Sequence, residues 1–160
     1  MALTQSCCAD ALVELCPSLS SILPFLDEVK CPNLTFDTLR LLSLSAALLP
    51  ADTHVTQEYF TSGLISLINS IFSRFLTTKA YCRLTVQCLT LLANVFADHR
   101  LLAKDIVKST KLIDVIVSVK SVAPLLILPT VCWLCSNLVE HDQKFTDVIF
   151  THVAEPSIMS

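Results

Sequence analysis

Leu89-Thr-Leu-Leu-Ala-Asn-Val-Phe-Ala-Asp98 decides how this chain is read, because its pattern occurs three times. Upstream, Leu42-Ser-Leu-Ser-Ala-Ala-Leu-Leu-Pro-Ala51 repeats it, with Ala46 aligned on Ala93, 47 residues later. Downstream, Leu134-Cys-Ser-Asn-Leu-Val139 matches Leu91-Leu-Ala-Asn-Val-Phe96, placing Asn137 43 residues after Asn94. The segments before these copies also recur. Leu64-Ile-Ser-Leu-Ile68 matches Leu112-Ile-Asp-Val-Ile116, and Leu12-Val-Glu-Leu15 resembles an earlier copy. A third element precedes them: Gln57-Glu-Tyr-Phe60, Lys104-Asp-Ile-Val107 and Thr146-Asp-Val-Ile149. Periods of this size fall in or beside the ~40–47 residues of stacked helical repeats.

The repeats predict helices over 6–23 and 33–49, a complete three-helix unit over 54–61, 62–76 and 79–97, and a second over 99–108, 109–122 and 125–141. Residues 144–153 begin a further unit, so the array has about three units and is partial at both ends. Pro32-Asn33, Pro50-Ala-Asp52, Asp98-His99 and His141-Asp142 punctuate it, with Thr35 and Asp52 as candidate N-caps. The expected fold is an all-α, right-handed α-solenoid forming one domain over residues 1–160. No unit of such an array buries its own apolar faces, so neighbouring units share a continuous core. Terminal units normally carry a polar outer face. Leu3 to Leu26 stays apolar instead, and Val148, Ile149 and Phe150 lie near the C-terminus. That pattern predicts an end face covered by another copy or another subunit.

Composition supports helices. Hydrophobic residues make up 53% of the 160 and charged residues 16%, against about 25% charged in an ordinary soluble domain, so the chain must bury much of itself. Gly63 is the only glycine. Hairpins, bulges and phosphate-cradling loops all use several, so one glycine argues against sheets, P-loops and dinucleotide fingerprints. The net charge is −3 with no basic block, which disfavours nucleic-acid binding. Cys82, Cys88 and Cys132 occupy apolar helical positions, as buried free thiols do in a reducing compartment. The start, Met1 to Leu15, has no basic n-region and carries Asp10 and Glu14, so no signal peptide is read and the cytoplasm or nucleus is expected.

Ser121 to Val139 contains no charged residue and is long enough to span a bilayer. Pro124 and Pro129 are expected to break this run, and its place in the repeat is that of a buried solenoid helix, equally apolar. A small helical membrane protein is therefore a third alternative.

Trp133-Leu-Cys-Ser-Asn137 resembles the W-x-x-S-N stretch on the third helix of armadillo repeats, and is most similar to that of importin alpha-like proteins. The resemblance implies that Asn137 holds the backbone of an extended peptide while Trp133 packs against the aliphatic stems of its Lys or Arg residues. Helical i, i+4 spacing puts both on one face. An indole accepts a cation over its ring, and an amide both donates and accepts. Glu140 and Asp142 lie nearby to complement a basic partner. Asn94 has Thr90 in the tryptophan position, and the first unit has Ser43 and Ala47, so the tandem Trp-Asn array is absent. The candidate peptide-binding residues are Asn94, Trp133, Asn137, Thr90 and Glu140. A packing role for Trp133 and a backbone tie for Asn94 and Asn137 stand beside that reading.

No catalytic constellation appears. Cys132-Trp-Leu-Cys135 lies in a helix rather than at a strand-to-helix turn, and His141 and His152 miss zinc-finger spacing. The four histidines fall at predicted helix ends. No enzyme activity, cofactor or metal is expected. The leading expectation is a protein- or peptide-binding scaffold on the third-helix face, in nuclear transport if the resemblance extends to function. The second is an assembly subunit, a homo-oligomer or part of a larger complex, that uses apolar end faces.

Overall fold

The computed structural model describes residues 2–49, 55–119, 124–141 and 145–147. Every element among them is helical. In chain order these are α1 (Ala2–Ile22), a 3-10 turn (Leu23–Phe25), α2 (Pro32–Leu48), α3 (Val55–Tyr59), a wide turn (Phe60–Leu64), α4 (Ile65–Thr78), α5 (Cys82–Asp98), α6 (Arg100–Ser109), α7 (Leu112–Ser118) and α8 (Pro124–His141). Residues 145–147 are helical, and Phe145 rests against the core. Most of the segment 144–153 and the candidate cap Asp52 lie outside the described residues.

The expected helices are present with their ends shifted by a few residues. Gly63 explains one shift: at φ 106° it takes a conformation that L side chains avoid, and the chain turns there between α3 and α4. No atom outside its chain neighbours lies within 4 Å of where a Cβ would sit, so conformation rather than space requires glycine. Between α4 and α5 the chain turns with two non-glycine residues in the left-handed region, Lys79 (φ 56°) and Tyr81 (φ 63°). The Lys79 N–H caps α4 by donating to the Phe75 carbonyl at 2.9 Å.

Three expectations need correction. Thr35 is not an N-cap. Helix α2 begins at Pro32, whose missing N–H suits the first turn, and Thr35 is buried in that helix, its Oγ1 without a hydrogen bond among the described residues. Pro129 does not break the apolar run, since α8 continues through it. Its absent N–H costs one intrahelical bond, to the carbonyl of Leu125 in the first turn, and Leu125 is exposed. Cys132 is exposed rather than buried, while Cys88 is buried and Cys82 half-buried.

Helix α5 lies between α2 and α8 and packs against both, with α4 and α6 also on it. Helix α4 contacts α7, and α1 contacts α2 and α3. The core is one continuous cluster that runs from Cys16 and Leu19 through Ile68, Phe72, Leu92 and Phe96 to Leu134 and Leu138. Tyr59 sits inside it. Its hydroxyl pairs with the Cys16 Sγ at 2.7 Å and accepts from the Ser45 Oγ at 3.5 Å. Burial raises the pKa of both Tyr59 and Cys16, keeping the pair neutral.

His99 joins α5 to α6 and is buried, with no partner for Nε2 among the described residues. Desolvation lowers its pKa against a weaker upward pull from Asp98. The unfolded chain then binds a proton more readily than the folded one, so stability falls as pH falls below about 6.5, until the lowered folded value is passed. The steepest slope is about 1.4 kcal/mol per pH unit. Urea unfolding at pH 7.5 and pH 5.5 checks this. His99→Leu should flatten the dependence, and an unchanged slope in the variant would assign the effect to other groups.

Candidate functional site

The residues singled out by sequence come together on adjacent helices. Thr90 and Asn94 are one turn apart on α5, as are Trp133 and Asn137 on α8. The two asparagines are committed to the helix row itself. Asn94 donates from Nδ2 to the Ser43 carbonyl (3.0 Å) and to the Ser43 Oγ (2.9 Å) on α2. Asn137 donates from Nδ2 to the Ala93 carbonyl on α5 (2.8 Å). Counted from their helix starts, the donors are the thirteenth residue of α5 and the fourteenth of α8, and the acceptors are the twelfth of α2 and of α5. The same tie is thus made twice, each time back to the preceding helix of the row. Both asparagines are half-buried, and among the described residues neither Oδ1 receives a hydrogen bond.

Trp133 is half-exposed, on the same side of α8 as Asn137. Ser136 Oγ donates to its carbonyl (2.7 Å). Thr90 spends its hydroxyl within its own helix, donating to the Val86 carbonyl at 2.9 Å. Glu140 is exposed one turn beyond Asn137. Near the other end of the row the guanidinium of Arg83 lies over the ring of Phe36 at 4.0 Å, so α5 and α2 are also bridged by a cation stacked on an aromatic face. The face offers an indole surface, two amide oxygens and a carboxylate, a set suited to binding a polar backbone and apolar stems.

Sequence reasoning missed three polar groups that the fold brings together. Glu28 is buried in the turn before α2, and its Oε1 accepts from the Ser70 Oγ (2.6 Å) and from the Arg74 Nε on α4. Desolvation pushes the Glu28 pKa up, but the hydrogen bonds from Ser70 and Arg74 outweigh it and hold the carboxyl below its usual range. These groups line a cleft of about 500 Å³ with Leu23, Gly63 and Ser66. Asn69, also on α4, holds the turn before α7: its Nδ2 donates to the Ser109 carbonyl (2.7 Å), and its Oδ1 accepts from the Lys111 N–H (2.9 Å). The available signal was the run Asn69-Ser70 followed by Arg74, a polar cluster inside an otherwise apolar helix.

Cys135 is half-buried, and desolvation pushes its thiol up to about 11, away from the reactive thiolate. No group of three or more His, Cys, Asp or Glu converges to hold a metal among the described residues, and none of the described helices is long and apolar enough to cross a membrane. No protein family, curated protein or solved structure compared with the chain matches it.

Proposed function

We propose that this chain is a right-handed α-solenoid of armadillo/HEAT type that binds an extended segment of a partner protein along α5 and α8. One observation carries the reading: Trp133 stays half-exposed beside an asparagine that ties α8 to α5. A large aromatic on a helix, with no described element over it, is a common anchor of a protein-binding hot spot. The side-by-side row of α2, α5 and α8 supports a solenoid, and the Trp-x-x-Ser-Asn resemblance supports a peptide face. Glu140 favours a basic segment, in keeping with an importin alpha-like adaptor of the nucleus and cytoplasm.

Trp133 is the only tryptophan, so its emission reports on this face alone. Titration with a lysine- and arginine-rich extended peptide is expected to change that emission saturably, with an acidic peptide of equal length as control. In anisotropy with the labelled basic peptide, Trp133→Ala should weaken binding about 30-fold, the effect of a hot spot worth about 2 kcal/mol. Helicity should be unchanged. Binding that ignores the substitution, or no emission change at saturation, would refute the assignment.

A further inference from the structure

We infer that two copies of this chain stack head to tail, with the free flank of α2 in one copy seated on the free flank of α8 in the other. The two halves of this contact are read from burial at matching helix positions. Leu84 and Leu91 are the third and tenth residues of α5, on the side where Asn94 reaches α2, and they are 5% and 1% exposed. Leu34 and Leu41 are the third and tenth residues of α2 and are 54% and 38% exposed. The same positions that are covered where a neighbouring helix lies alongside are open on α2. At about 100° per residue, they point some 160–180° away from Ser43, the residue that receives Asn94. Helix α2 therefore carries the apolar flank that such a row buries, with no helix among the described residues to bury it.

The opposite end has the complementary feature. Asn137 marks the side of α8 that faces α5. Leu128 and Val139 lie about 160–180° round the helix from it and Leu125 about 120°, and all three are exposed, Leu125 at 95%. The α2–α5 and α5–α8 contacts already join one flank of a row helix to the opposite flank of the next. A second copy placing its α2 against α8 continues that same interface, apolar surface against apolar surface. A contact between different faces does not close on itself by necessity, so it permits chains longer than two.

Analytical ultracentrifugation of the full chain tests this across low to high micromolar concentration. The mass is expected to rise with concentration beyond that of a dimer. Leu34→Glu/Leu41→Glu blocks one flank and Leu125→Glu/Leu128→Glu the other. Each variant alone should remain a monomer with unchanged circular dichroism, and an equimolar mixture should form complexes of two chains and no larger. If a glutamate pair lowers helicity, the Leu→Ser versions of the same pairs replace it. A wild-type chain that is monomeric throughout overturns the proposal, as does a variant that self-associates alone or a mixture that stays monomeric. The peptide titration on Trp133 is read separately, at concentrations where the chain is a monomer, so either reading can fail without the other.

Discussion

Leu91→Ala is expected to destabilise the fold by about 2–5 kcal/mol, and Leu41→Ala by less than about 1 kcal/mol. The two leucines occupy the tenth position of α5 and of α2, in copies of one sequence pattern. Leu91 is buried on the α2 side of α5, so truncation removes its apolar contacts and leaves a cavity that rigid neighbours fill poorly. Leu41 is already half in water, so truncation removes surface that gained little from burial. Urea unfolding of both variants and the wild type, compared at the midpoint with a common slope, measures the difference. Equal and large losses would mean that α2 is covered on its outer flank in the chain as measured. Equal and small losses would mean that α2 does not cover Leu91.

Arg74→Ala is the second large effect, with an expected cost of about 1–3 kcal/mol at neutral pH. The guanidinium is itself partly exposed, so its attraction to Glu28 is screened and is not the main quantity. The cost comes from Glu28, which is buried and would lose the guanidinium, keeping Ser70 and a backbone N–H as partners for its charge. The folded carboxyl of the wild type has a depressed pKa, so its stabilising contribution is present above the usual carboxylate value near 4.5 and is lost as pH falls through the lower folded value. Once Glu28 is protonated there is no buried anion for Arg74 to serve. The stability gap between wild type and variant should therefore narrow from pH 7 to pH 3.5, as read by urea unfolding at both. A gap that does not change with pH would assign the effect to lost packing of the arginine stem, including its approach to the Tyr81 ring at 6.0 Å, rather than to the carboxylate.

The helical character and most helix limits were legible because both are local. The repeat of Leu89–Asp98 at Leu42–Ala51 and at Leu134–Val139, with one glycine in the chain, leaves little besides helices. The predicted 33–49 and 125–141 fall within a residue of α2 (Pro32–Leu48) and α8 (Pro124–His141). That Trp133 shares a helix face with Asn137, and Thr90 with Asn94, was legible for the same reason, since helical spacing alone gathers residues of one helix onto one face. Thr35 and Pro129 misled because cap and breaker rules describe a helix end in water, and each residue's effect depends on what surrounds that turn.

The sequence by itself determined that the described residues are helical and which polar residues share a helix face. Tertiary structure alone decided which neighbour each face meets. It spent the amide N–H groups of Asn94 and Asn137 on the preceding helix, left Trp133 half in water, buried Glu28 against α4, and covered Leu91 while exposing Leu41. The division follows from distance along the chain. Periodicity is set by contacts within a few residues, whereas the ties at Glu28, Asn69, Asn94 and Asn137 join groups 40 or more positions apart. No local pattern encodes which of two identical flanks will find a partner.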